Sequence, residues 1–290
     1  QILSSLLNLK INNIKDFSGN GELETNIDFK VNKKFKIKNL FYSIAGNIPY
    51  GKIHFKEKKI IKNYLPSYND VLIFKDTKIK LNKTNPNNIF EINGLIKIDN
   101  EFDNFNLKQT YDFNKKSSLI LGKVELTNSK VNISKLNYIK ESGESSEINF
   151  DFNFIFNKYY DIKNLLFVAD KTRINISELR LNKNFEANDF RKIEIKTFTN
   201  KNKNNDFLAE KSNQVVISGE IFDTQPLLKS LFKKSDRKTF SNNFSSKLKI
   251  NFDKVITGTN DDVNDLSMIA TIEKGSYDKL SLKGNFSTDE

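Results

Sequence analysis

An apolar residue occupies every second position of Ile148-Asn-Phe-Asp-Phe-Asn-Phe-Ile-Phe156, and polar residues fill most of the gaps. Side chains of a strand point alternately to opposite faces, so this spacing predicts a strand with Ile148, Phe150, Phe152, Phe154 and Phe156 on one apolar side. Weaker forms recur at Leu23/Ile27/Phe29/Val31, Val71/Ile73/Ile79/Leu81, Leu248/Ile250/Phe252 and Leu266/Met268/Ala270/Ile272, each read as one stripe. A chain built from one-sided strands poses the question of what covers the apolar side.

Between Glu22 and Gly143 the sequence reads as strand after strand, punctuated by turn residues. The turn candidates are Ser18–Gly21, Pro49–Gly51, Asn85–Asn88, Asn93-Gly94, Asp99–Asn104 and Asn114–Ser118. Glu141–Ser146 reads as a polar loop and Lys201–Asp206 as an exposed one, with further strands at Val168–Leu181, Ile193–Phe198 and Phe244–Phe286. Residues 1–10, with Leu3, Leu6 and Leu7, read as a short helix. One internal segment breaks the β pattern. Leu227, Leu228, Leu231 and Phe232 have helical spacing, Asp223 or Thr224 fits an N-cap, and Pro226 fits the first turn. A helix is therefore predicted near 223–234, covering or gating part of an apolar face. The fold class is mainly β: a long antiparallel meander with one short helix, read as a single continuous segment over 1–290.

Composition narrows the function classes. Hydrophobic residues make up only 37% of the chain, which suits an elongated sheet with one wet face better than a deep core. The formal charge of +11 is spread through the sequence, without a basic block longer than pairs such as Lys33-Lys34. Nucleic-acid binding usually needs a concentrated basic face, so no nucleic-acid partner is expected. The 290 residues include no Cys, which removes disulfides and thiolate metal sites. The single Met is Met268 and the chain starts at Gln1, so it is read as part of a longer protein.

Little in the sequence suggests catalysis. His54 is the single histidine, in strand-like Lys52-Ile-His-Phe55, and no Gly-x-Ser-x-Gly elbow or phosphate-cradling glycine loop occurs. Asp261, Asp262 and Asp265 lack the spacing, central Gly and terminal Glu of a calcium loop and read as a solvated turn. A non-enzymatic protein without cofactor or metal is expected.

Val216-Ile-Ser-Gly-Glu-Ile-Phe-Asp-Thr-Gln-Pro-Leu-Leu-Lys-Ser-Leu-Phe232 resembles the strand–helix junction of the AsmA-like C-terminal region of alphaproteobacterial envelope proteins. The stretches Leu248–Gly258, Leu266–Ile272 and Leu280–Phe286 resemble that family's following strands, and Asn12–Ile48 is similar to its strand pairs. The likeness is clearest over 160–286. The resemblance implies a twisted antiparallel sheet curled into an open apolar groove, a β-taco. It implies a periplasmic part of an inner-membrane-anchored bridge protein in a Gram-negative, alphaproteobacterial envelope. Such a bridge moves phospholipids between inner and outer membranes, so phospholipids and the two membranes are the expected partners.

The residues expected to line the groove are Ile27, Phe29, Val31, Phe150, Phe152, Phe154, Phe156, Leu248, Ile250 and Phe252, with Leu227, Leu228, Leu231 and Phe232 as cover or gate. A floor without charge would give a sliding lipid no fixed anchor. Two other readings stay open: a structural or assembly factor for outer-membrane biogenesis, and an extracellular β adhesin module with a sealed core.

Overall fold

The computed structural model describes residues 14–56, 59–84, 86–155, 158–183, 187–232, 245–259 and 261–286. The expected helix over 1–10 and the groove residue Phe156 lie outside the described residues. The chain is mainly β and divides into two compact units. The first comprises Gln1–Val131 and Glu141–Phe156, the second Asn132–Lys140 and Asn157–Glu290.

Unit 1 holds β1 (Ile14–Val31), β2 (Ile37–Phe55), β3 (Val71–Thr84), β4 (Asn87–Lys97), β5 (Phe102–Asp112), β6 (Ser117–Glu125) and β9 (Ser146–Ile155). These seven strands are antiparallel neighbours in that order, as a meander predicts. A one-turn helix α1 (Lys59–Lys62) follows β2. β7 (Val131–Ile133), which begins at the last residue of this unit's first segment, and β8 (Tyr138–Lys140), which belongs to unit 2, pair with each other and flank the 3-10 turn Ser134–Leu136.

Unit 2 holds β10 (Tyr159–Ala169), β11 (Thr172–Asn182), β12 (Ala187–Asp189), β13 (Lys192–Thr199), β14 (Asn202–Lys211), β15 (Val215–Asp223), β16 (Ser246–Ile256), β17 (Val263–Glu273) and β18 (Ser276–Phe286). Its pairs are antiparallel except one: β15 and β16 run parallel, from Val215↔Leu248 to Asp223↔Ile256. This corrects the all-antiparallel expectation. Parallel neighbours need a crossover that carries the chain back to the same end. The connection that begins with α2 (Gln225–Phe232) is that crossover, so the helix predicted near 223–234 interrupts the meander for a topological reason.

Several predicted turns lie inside strands instead. Ser18–Gly21 belongs to β1, Pro49–Gly51 to β2 and Asn93-Gly94 to β4, while Asn202–Asp206 opens β14. Two bulges explain most of these misreadings. β2 carries one residue more than β1 between Asn20↔Tyr50 and Glu22↔Asn47. β3 carries one more than β4 between Lys75↔Leu95 and Lys78↔Asn93, where Asp76 has φ 47°. The bulges lie side by side through the pair Ile48↔Thr77. Pro49 has no register partner there, so its missing N–H leaves no ladder bond unmade. Opposite, a Cβ on Gly94 would come within 2.7 Å of Thr77 Cα.

The extra residue has a consequence for sidedness, because side chains alternate with period two. Ile79 and Leu81 share a face with Ile92 and Phe90, whereas Ile73 pairs with Lys97 on the other. Val71/Ile73/Ile79/Leu81 is therefore two half-stripes on opposite faces.

Candidate functional site

Register partners point to the same side of a sheet, so the strand pairing resolves the faces of unit 1 row by row. One row runs Ile27–Tyr42–Lys83–Asn88–Tyr111–Ser118–Phe154 across β1 to β9. The next runs Thr25–Ile44–Leu81–Phe90–Gln109–Ile120–Phe152, and the third Leu23–Gly46–Ile79–Ile92–Leu107–Gly122–Phe150. Past the bulges, Phe74, Ile96, Phe105, Val124 and Ile148 continue the face. The stripe of β9 and the stripe of β1 thus belong to one apolar surface, as alternation predicted for each strand separately.

Burial is graded across this surface. Leu81 and Phe105 near the centre are buried, with Phe74 edge-on to Phe105 at 5.6 Å between centroids. Phe150, Phe152 and Phe154 are half-buried, and the first two rings stack at 4.6 Å. Phe150 lies over Gly122, where a Cβ would come within 2.6 Å of Leu107 Cδ2 and meet the Phe150 ring. On β1, Phe17, Leu23, Ile27, Phe29 and Val31 are each more than half exposed. β1 pairs only with β2 among the described residues, so its second edge is open.

Charge is nearly absent from these rows. Lys83 and Asp103 are the charged side chains they carry among the described residues. Asp103 is buried and accepts from Asn128 N and Nδ2 at 3.1–3.2 Å, which fastens the loop after β6 to that end of the face. Lys83, at the other end, lies over two rings, its Nζ 5.8 Å from the Tyr42 centroid and 5.4 Å from that of Phe113. Burial raises the Tyr42 hydroxyl pKa, opposed by its hydrogen bond with Asn88. Gln109 Nε2 donates to Ser118 Oγ at 2.7 Å. The first row is therefore a polar border to an apolar floor.

The reverse face of unit 1 is polar and ion-paired. Lys108 Nζ lies 2.7 Å from Glu91 Oε1 and Lys123 Nζ 2.6 Å from Glu147 Oε2. The Lys108 hydrogen bond holds Glu91 below the ordinary carboxylate range, and Lys123, then Asn149, do the same for Glu147. An open concavity of about 710 Å³ lies on this side, lined in part by Glu22, Glu24, Lys78, Lys80 and Glu91. Its lining suits water and ions, not hydrocarbon.

Unit 2 has its own apolar face. One row is Phe167–Ile174–Ile195–Phe207–Gly219–Phe252–Leu266, and its neighbour is Leu165–Ile176–Ile193–Ala209–Ile217–Ile250–Met268–Leu282. Phe207, Phe222 and Phe252 form an aromatic triad with centroid separations of 5.2–5.8 Å. Of the predicted lining residues here, Leu248 and Phe252 are buried and Ile250 is half-buried against Val215, Ala270 and Ile272. They are core of the unit more than open floor. On the edge strand β18, Leu280, Leu282 and Phe286 are exposed.

One end of that face is closed by polar groups, of which the sequence singled out Asp223 alone and only as a cap. Asn205 Nδ2 donates to Leu136 O at 2.8 Å and Thr197 Oγ1 at 2.9 Å, while its Oδ1 accepts from Asp223 N. Asn204 Nδ2 also donates to Leu136 O, at 3.0 Å. Asp223 accepts from Gln225 N, capping α2, and from Asn137 Nδ2. Thr224 holds the N-cap position, since its carbonyl accepts from Leu228 N, but its Oγ1 donates to Ile256 O, and the side-chain cap comes from Asp223 one residue earlier. Leu227 on α2 is exposed and Leu228 half-buried; the side chains of Leu231 and Phe232 lie outside the described residues. Nothing described gives the helix a gating position.

His54 Nε2 lies 4.0 Å from Asp16 Oδ1 at the surface, and Asp262 pairs with Lys254 at 2.9 Å. Among the described residues no three His, Cys, Asp or Glu side chains gather as a metal site, and no helix is long and apolar enough to cross a membrane. The chain matches no protein-family model, no curated protein and no solved structure.

Proposed function

We propose that this chain is a non-enzymatic, AsmA-like lipid-binding segment whose apolar sheet faces take the acyl chains of phospholipids. In this reading the sheet curls into an open apolar groove. The parent is an inner-membrane-anchored periplasmic protein that moves phospholipids between the inner and outer membranes of a Gram-negative cell. The observation that carries it is the sidedness of unit 1. Seven strands present apolar rows on one face and ion pairs on the other, and the apolar stripe of β1 is left open. Covering a Phe or Leu side chain fully contributes about 1.5–3 kcal/mol, so such a surface strongly favours an apolar occupant.

The test is native mass spectrometry with lipid extraction on the chain purified gently from a Gram-negative host. Several co-purifying phospholipids per chain support the reading. A lipid-free folded monomer rejects it.

A second reading, a structural or assembly role, draws on the edge strands. Unpaired edges are templates for added strands. β1 carries Glu22, Glu24 and Asp28 on its polar side, and β18 carries Lys279 and Lys283 opposite Leu280 and Leu282. In that case purification captures a bound polypeptide strand in place of lipid.

A further inference from the structure

The apolar face of unit 1 contains a lysine where its strand neighbours would predict a hydrophobe. Lys83 shares the face of Leu81 and Ile79 and stands at the end of β3. It has no carboxylate within ion-pair distance among the described residues, although lysines on the reverse face, such as Lys108 and Lys123, are paired. Its ammonium is held over the rings of Tyr42 and Phe113, which fixes its direction while leaving its N–H donors without a stronger acceptor. The same row adds Tyr111 and Ser118 hydroxyls and the Asn88 amide.

From this row to the row of Asp103 the sheet runs eight residues along β5, about 27 Å. One leaflet of a bilayer is about 15 Å of hydrocarbon, half of a ~30 Å core. The apolar rows are thus long enough for an acyl chain whose headgroup stays at the lysine. Unit 2 shows what a filled polar end looks like: there Leu136 and Asn137 occupy Asn204, Asn205 and Asp223 with hydrogen bonds from the chain itself. Among the described residues no backbone carbonyl accepts from the Lys83 ammonium, which rests on the two rings.

We propose that the Lys83 row is a headgroup site selecting anionic phospholipids, with the Lys83 ammonium on the phosphate and the acyl chains over Leu81, Phe90, Ile92, Phe150 and Phe152. This rests on the lipid-binding reading above and sharpens it, since the floor then has an anchor. Charge complementarity selects the occupant. A phosphatidylglycerol-type headgroup offers a phosphate with no cation of its own, whereas a phosphatidylcholine headgroup already pairs its phosphate internally.

The experiment titrates the whole chain into fluorescently labelled phosphatidylglycerol and, separately, labelled phosphatidylcholine. The chain is expected to bind phosphatidylglycerol about tenfold more tightly, a charge-assisted contact of that order. Lys83→Gln is expected to reduce phosphatidylglycerol binding to the phosphatidylcholine level, with phosphatidylcholine affinity unchanged. Lys83→Arg keeps the preference, and so does Lys80→Gln on the reverse face. Equal binding of the two lipids by the unaltered chain, or an undiminished preference in Lys83→Gln, overturns the headgroup site and leaves lipid binding standing. Displacement of the labelled lipid by millimolar inorganic phosphate overturns the assignment to a lipid headgroup. Binding of neither lipid overturns this site together with the lipid reading itself. Circular dichroism of Lys83→Gln, compared with Lys83→Arg, separates lost binding from lost fold.

Discussion

Asn137 Nδ2 donates to Asp223 Oδ2 at 2.8 Å across 86 residues of sequence, joining the turn after β7 to the carboxylate that caps the start of α2. Asn137 reaches it from a left-handed backbone conformation, φ 50°, which Asn tolerates better than most residues. Asp223 is 2% exposed, and its backbone N–H is bound by Asn205, itself fully buried.

Asp223→Ala is therefore expected to destabilise unit 2 by about 1–2 kcal/mol, through the lost cap and the lost bond from Asn137. Urea unfolding followed by circular dichroism measures the shift. Hydrogen exchange should locate the weakening in β14, β15 and α2. A change below about 0.5 kcal/mol would show the network to be dispensable.

Gly122→Ala places a methyl group where Phe150 and Leu107 already lie. Overpacking of this kind costs about 1–3 kcal/mol. A thermal melt should show the loss, and pairing the change with Phe150→Leu should recover part of it. No recovery would mean that Phe150 is not what fills the space.

Phe152→Asp with Phe154→Asp tests the half-buried stripe of β9. If acyl chains cover it, the double variant loses co-purifying lipid and keeps its β-sheet circular dichroism. If neighbouring protein covers it, unpaired charges there are costly and cooperative unfolding disappears. The second outcome removes β9 from the lipid surface.

Stability should fall at both ends of the pH range. Glu91, Glu147, Glu194 and Asp189 all have folded pKa values lowered, chiefly by lysine hydrogen bonds. A lowered carboxylate contributes stability fully present above its unfolded pKa, about 4, and lost as pH falls through the folded value. Tyr68 works in the opposite direction. Burial, helped by the Asp70 charge, pushes it up to about 12, so its contribution holds below pH 10.0 and fades as pH rises through 12. Melting temperatures measured from pH 2 to 12 should decline below about 4 and above about 10, and Tyr68→Phe should lessen the alkaline decline, which Tyr42 and Tyr277 share.

Much of unit 1 was legible because its strands obey period two. Leu23, Ile27, Phe29 and Val31 share a side of β1, and Ile148, Phe150, Phe152 and Phe154 share a side of β9, as spacing alone required. The helix and its Asp223 cap were equally local, since both depend on residues within a few positions of each other. Where an extra residue entered a strand, the reading failed. Val71 and Ile73 parted from Ile79 and Leu81, and Pro49 and Gly94 passed for turns, because a bulge is defined by the strand alongside it.

The sequence by itself determined that the chain is β-rich, one-sided and almost without helix, because side-chain alternation is a property of a single strand. Tertiary structure decided which strands are neighbours, that β15 and β16 run parallel, and which residues stand in one row. It placed Lys83 at the border of an apolar face, and it placed Asn137, Asn205 and Asp223 in one network. Those facts depend on register between segments far apart in the chain, and register is fixed only when the strands meet.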